Sequence, residues 1–230
     1  MRIPEHKYGL YLLASVCGIV DVTCFVGLNG VFSAAMMSGN LLMFAIALSQ
    51  GHPFELGFKY VRAFGAFTLG IVIANRTMKF LGGGNNSRKA FWFVWFCIGV
   101  ATMLTMWRAP ATHAPLRDAL VGLLCAAMGA MTTIIRMHGV PDLATTLFTG
   151  TYTALIAESP LGGSKSDRWL RRVVSITIFV ISGGVCGYLA RINPTWALGL
   201  AFVIMSLAMV IFQNSSKEPE NSSFSPLANF

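Results

Sequence analysis

Between Lys7 and Glu55 the chain carries one charged side chain, Asp21, in a long stretch of apolar and small polar residues. A soluble fold must present charge to water, about a quarter of its residues on average, whereas here only 11% of the whole chain is charged. Similar charge-free runs cover Ala90–Trp107, Ala119–Ile135, Leu143–Ala157, Val173–Ala190 and Ile192–Ser216. Apolar runs of about 18 residues or more read as bilayer-spanning helices, so the expected fold class is all-α and polytopic. The net charge of +8 does not point to nucleic acid, because Lys and Arg lie in the short connections between apolar runs. Basic residues in that position mark the cytoplasmic side of a membrane protein.

The N-terminal stretch has an early Arg2 and an apolar continuation like a signal peptide, but the apolar pattern runs past any cleavage point. It reads as the first helix. Cys17, Cys24, Cys97, Cys125 and Cys186 all fall inside apolar runs without a C-x-x-C pair, which suits small packing residues. Breakers at Gly51, Gly82, Arg108, His138, Ser159 and Ile192, with the glycine-bearing link from Val26, leave eight apolar segments. Two of these, Val31–Gln50 and Leu143–Glu158, are short for a full crossing. The polar tail 215–230 has a disordered composition.

Sliding the chain by 111 positions sets Gly18 on Gly129 and Gly39 on Gly150, and "AAMMSGN" on "TTLFTGT". In each half a segment with small residues four apart follows, Gly70 with Ala74 and Gly183 with Gly187, a spacing that lets membrane helices pack closely. The chain is therefore expected to be one transmembrane domain, 1–214, made of two repeats at about 8–108 and 117–214. On "GIVDVTCFVGLNGVFSAAMMSGN" and its second copy ending "TTLFTGT", the chain resembles the YoaK-type family of bacterial inner-membrane proteins, a domain of unknown function. The likeness runs from about Leu10 to Ile211. It implies a multipass membrane protein with about six spans and no established substrate. Ser38 stands where the family usually has Thr, and Ala130 and Met131 follow Gly129 where polar amide residues are expected.

Three basic clusters, Arg2 with Lys7, Arg76 to Lys89, and Lys165 to Arg172, fit the cytoplasm together only if an even number of crossings separates them. Each interval holds three apolar segments, so one short segment in each must re-enter rather than cross. That gives six crossings plus two short helices, as two inverted repeats with both termini cytoplasmic. Eight full crossings in two parallel units are the alternative.

An aspartate near a helix centre costs about 2.5–3.5 kcal/mol to insert, so Asp21 is expected to face protein or water. Thr23, Asn29, Ser33, Ser38 and Asn40 are its polar neighbours in sequence. The candidate substrate or ion site is Asp21 with Ser38, Gly39 and Asn40 and their second-half counterparts Thr149, Gly150 and Thr151. Glycine there allows a helix break or close backbone approach. The competing reading is that these residues only staple helices together. Arg136 and His138 suit an interface, with anion binding as the alternative, and Arg62 and Arg172 are expected to snorkel. Trp92, Trp95, Trp107, Trp169 and Trp196 suit an aromatic belt. No H-E-x-x-H, G-x-S-x-G or phosphate-loop motif is present, and the four His are scattered, so neither an enzyme nor a metal site nor a cofactor is expected. The expected partners are the lipid bilayer and an unidentified small molecule or ion, not nucleic acid; homo-oligomerisation is left open. The expected function is transport, by a carrier or channel, with a membrane scaffold or partner-binding protein as the alternative.

Overall fold

The computed structural model describes residues 7–28, 33–51, 57–80, 87–107, 114–137, 148–159 and 168–214. Asn29, Gly30, His138 and the tail 215–230 lie outside them. The described residues form helices: α1 (Lys7–Val22) continued by one π-helical turn (Thr23–Gly27), α2 (Met37–Ser49), α3 (Phe58–Phe80), α4 (Ser87–Trp107), α5 (Ala114–Met137), α6 (Phe148–Ala157), α7 (Arg168–Ile192) and α8 (Pro194–Asn214). Both segments marked as short in the sequence are short helices, 13 residues in α2 and 10 in α6.

Local chemistry explains several boundaries. α8 starts with Pro194, whose missing N–H costs nothing at a first helical position, and the Asn193 side chain caps it by accepting from Thr195 N at 2.9 Å. A single residue thus separates α7 from α8. α2 stops at Gly51, which takes φ +75°, a conformation that side-chain-bearing residues adopt rarely, and returns its N–H to the Leu48 carbonyl. The π turn is closed by Leu28 N donating to Thr23 O at 3.0 Å, a five-residue step that widens the helix just after Asp21.

Pairs of touching residues fix how the long helices run. Along α1 and α7, Ser15 meets Ser182, Val22 meets Gly183 and Gly187, and Gly27 meets Ala190, so the two are parallel. α3 and α5 are also parallel, with Arg62 on Asp118, Ala66 on Gly122 and Gly70 on Ala126. α4 and α8 are antiparallel: Phe91 stacks on Phe212, Trp95 donates to Ser206 Oγ at 2.8 Å, and Thr102 meets Gly199. α1 and α8 are antiparallel as well, with Gly9 on Phe212 and Gly27 on Pro194. α1 and α5 run antiparallel, since Cys17 meets Met128 while Cys24, further along α1 and its π turn, lies near Cys125. Hence α1, α4 and α7 point one way while α3, α5 and α8 point the other. The short helices are peripheral, α2 against α3 and α6 against α7.

The closest approaches sit at glycines. A Cβ at Gly18 would lie 2.5 Å from the Phe179 carbonyl oxygen, and one at Gly129 would overlap that of Phe67. Without side chains at these points the backbones touch, which is how helices gain packing energy where no hydrophobic force separates them from lipid. All five cysteines are buried and none is in a disulfide.

Among the described residues, four helical stretches are long and apolar enough to cross a membrane: Tyr8–Gly27, Ala114–Arg136, Trp169–Ile192 and Pro194–Phe212. α3 and α4 match a bilayer in length, at 23 and 21 residues, but α3 carries Lys59, Arg62, Arg76 and Lys79, and the apolar part of α4 shortens to Phe91–Trp107. Several expectations need correction. Arg62 and Arg172 do not merely snorkel: Arg62 Nη2 lies 2.7 Å from Asp118 Oδ2, and Arg172, only 4% exposed, places Nη1 2.9 Å from Glu158 Oε2. Trp95 is half-buried and spends its indole N–H on Ser206 of α8 rather than on the membrane surface. Trp92, Trp107 and Trp196 are exposed, as a belt requires.

Candidate functional site

Asp21 lies on α1, one turn beyond Cys17 and so about 6 Å further along the helix axis. Cys17 marks where α1 meets α5, its thiol donating to the Met128 thioether at 3.8 Å. Asp21 is 5% exposed, and Cys125 of α5 is within electrostatic reach of its carboxylate. Neither ion pair among the described residues involves it. A buried carboxylate without a cation must find hydrogen-bond donors.

Those donors come from the non-helical stretch that leads into α2. Ala35 N–H donates to Asp21 Oδ1 at 2.9 Å, and the Ala34 amide and Ser33 hydroxyl face the same carboxylate. The stretch is itself held in shape from two sides. Ser33 Oγ accepts from Ala35 N at 3.1 Å and from Met36 N at 2.7 Å, a turn of the kind a serine hydroxyl favours. Asn40 Nδ2 donates to Ser33 O at 2.6 Å and Asn40 Oδ1 accepts from Ser33 N at 3.3 Å, so one amide side chain holds both backbone groups of one residue. Asn40 is 1% exposed. Asp21 Oδ2, by contrast, is buried and has no hydrogen-bond partner among the described residues.

The structure therefore brings together Asp21, Ser33, Ala35 and Asn40, while Ser38 is exposed and Gly39 half-buried. In the second motif Thr149 and Gly150 are exposed and Thr151 is buried. In both copies only the third residue turns inward. The two motifs belong to different helix pairs, α2 with α3 and α6 with α7. Sequence reasoning missed the role of Ala35, whose contribution is a backbone N–H and leaves no mark on residue identity. It also missed the π turn and the pairing of Arg172 with Glu158. No group of three or more His, Cys, Asp or Glu able to hold a metal occurs among the described residues.

Parallel and antiparallel apolar helices around a buried polar centre define a multipass, all-α membrane protein. The chain belongs to the family described as Protein of unknown function (DUF1275), whose model matches residues 9–211. It is similar to the UPF0700 transmembrane protein YoaK of Bacillus subtilis (strain 168), 28% identical over 155 residues, which cover 65% of this chain and 65% of that protein. No solved structure matches. The protein is accordingly a multipass protein of the bacterial inner (plasma) membrane with buried polar residues near its core.

Proposed function

We propose that the protein is a secondary transporter for a small molecule or ion, built as two inverted repeats of three crossings each, with Asp21 at its working centre. The observation that carries this reading is the carboxylate oxygen Asp21 Oδ2, buried beside the meeting point of α1 and α5 with no hydrogen-bond partner among the described residues. An ionisable group kept in a membrane interior at that cost, with no fixed ion pair, suits a site whose occupancy changes.

The arrangement of helices supports the inverted architecture. α1 and α3 run in opposite directions, so α2 between them makes no net crossing, and the same holds for α6 between α5 and α7. Six crossings remain. Eight full crossings would set α4 parallel to α8, against the antiparallel contacts of Trp95 with Ser206 and Thr102 with Gly199. Cys17 touches Met128, its counterpart under the 111-position shift. Residues that meet their own repeat counterparts lie on a two-fold axis, which for inverted repeats runs in the membrane plane. Helix pairing follows the same exchange, α1 with α7 answering α5 with α3. On this topology the helix positions Lys7, Arg76, Lys79, Arg88, Lys89, Arg136, Arg168, Arg171 and Arg172 share one side, against Lys59, Arg62, Arg117 and Arg191 on the other. The richer side is cytoplasmic, as are both termini.

The test is a comparison of small-molecule and ion content in a strain lacking the gene with strains restored by the wild-type chain or by Asp21→Asn. Any compound that shifts is then assayed for uptake in proteoliposomes. Wild type should move it and Asp21→Asn should not, at equal membrane abundance. Equal transport by both would make the carboxylate a helix staple. Orientation is checked separately: cysteines at Gly83 and Ser164 should both be shielded from an impermeant thiol reagent added outside.

A further inference from the structure

We infer that Asp21 Oδ2 is a single-proton site and that sodium, potassium and other metal cations do not bind there. This deepens the transport reading by naming the coupling ion, and it rests on Asp21 being the group whose occupancy changes.

The argument is an inventory of donors and acceptors. A hard cation needs several oxygen ligands to replace its water, six to eight for a calcium-sized ion, each with a lone pair free to point at it. Among the described residues, the side-chain oxygens around Asp21 other than Oδ2 already accept hydrogen bonds. Oδ1 takes the Ala35 N–H, Ser33 Oγ takes two backbone N–H groups, and Asn40 Oδ1 takes the Ser33 N–H. The groups turned toward the carboxylate from residues 33–35 are N–H and O–H donors, a lining that attracts negative charge and repels a metal ion. Oδ2 is left as one free oxygen. One oxygen cannot strip a metal ion of its water, but it can take a proton.

Among the described residues no other charged group competes for this role. The titratable groups facing Asp21 are thiols: Cys17 on α1, Cys24 on its π turn and Cys125 on α5. The described neighbours at the close approaches include Phe179, Ser182, Gly183, Gly187 and Ala190 from α7 and Pro194 and Phe212 from α8. None can hold charge. Protonating Oδ2 also has a mechanical consequence. A neutral carboxyl is a weaker acceptor than a carboxylate, so the bond from Ala35 N–H loosens and with it the tether between α1 and the stretch that leads α2.

Infrared spectroscopy of the purified full-length protein in lipid nanodiscs tests this without knowledge of the substrate. Across a descending pH series the wild type should gain the carbonyl stretch of a protonated carboxylic acid. That band should be missing from the series of Asp21→Asn and present in that of Asp21→Glu. Exchange of potassium for sodium at constant pH should leave it unchanged. Suppression of the band by sodium in the wild type, a measurement needing no variant, would identify a cation site and overturn the inference. Absence of any Asp21-dependent band at every pH would overturn it too, because the carboxylate would then be a fixed charge. If the band titrates while no compound is ever transported, the transport reading fails and the proton site stands. Sodium-dependent uptake without the band gives the reverse.

Discussion

Two glycines on α3 permit an internally controlled measurement of how closely this bundle is packed. A Cβ added at Gly70 would overlap the backbone of Ala126 on α5, and a carbonyl oxygen cannot rotate away as a side chain can. A Cβ added at Gly65, five positions earlier on the same helix, meets nothing within 4 Å. Replacing glycine by alanine inside a helix is favourable by up to about 1 kcal/mol from backbone entropy, and that gain is common to both sites. Their difference therefore isolates the packing term. Forcing one carbon into a close-packed contact costs about 1–3 kcal/mol, so Gly70→Ala should be less stable than Gly65→Ala by that amount, roughly 5- to 150-fold in the folded-to-unfolded ratio. Reversible unfolding in mixed micelles, with both variants measured beside the wild type, reads this directly. Gly65→Ala should equal or exceed the wild type. Equal stability of the two variants would refute the close approach of α3 and α5 and with it the parallel register drawn from Gly70 and Ala126.

Other consequences are open to equally direct measurement. Thr102→Cys with Gly199→Cys, in a background with the native cysteines replaced, should cross-link on oxidation, because a Gly199 Cβ would lie 3.9 Å from Thr102 Cγ2; no cross-link would contradict the antiparallel pairing of α4 and α8. Arg172→Ala should destabilise by about 3 kcal/mol, the low end for a buried pair since Glu158 is partly exposed. Arg62→Ala should cost at most about 1 kcal/mol because its pair with Asp118 is open to solvent, so equal thermal shifts for the two would undermine the burial assigned to Arg172. Asn40→Ala strands the buried N–H and carbonyl of Ser33 and should cost about 1–3 kcal/mol. Ser38→Ala, at an exposed position of the same motif, should stay within about 0.5 kcal/mol of wild type.

The contrast between Ser38 and Asn40 also marks what the sequence could and could not disclose. Hydropathy is a local property, so the apolar runs and the short length of α2 and α6 were legible from residue order alone. The burial of Asp21 was legible too, because its insertion cost leaves it no stable place against lipid. Reading Ser38, Gly39 and Asn40 as one inward-facing group ignored helix geometry. Positions two apart on a helix point to nearly opposite sides, so Ser38 and Asn40 cannot both face Asp21. The ion pairs were hidden for a different reason: Arg62 and Asp118 are 56 positions apart and meet only through the register of α3 on α5. The π turn and the amide of Ala35 depend on backbone conformation, which tertiary contacts decide.

The proposed duplication makes a final point about which features a repeat keeps. At the packing position both copies retain glycine, Gly18 against Phe179 and Gly129 against Phe67, because each parallel helix pair needs its own close approach. The chemistry has diverged. The counterpart of Asp21 is Thr132, whose hydroxyl donates to the Met128 carbonyl one turn back and so satisfies itself within its own helix. Asn40 has Thr151 as its counterpart, buried alike but lacking the amide that clasps Ser33. Two carboxylates flanking one axis would each carry an insertion cost of about 2.5–3.5 kcal/mol and repel one another when ionised. A single carboxylate at the meeting of α1 and α5 carries one insertion cost and no such repulsion. On the proposed duplication, the asymmetry argues that the two halves share a packing scaffold while only the first keeps a carboxylate at the meeting of α1 and α5.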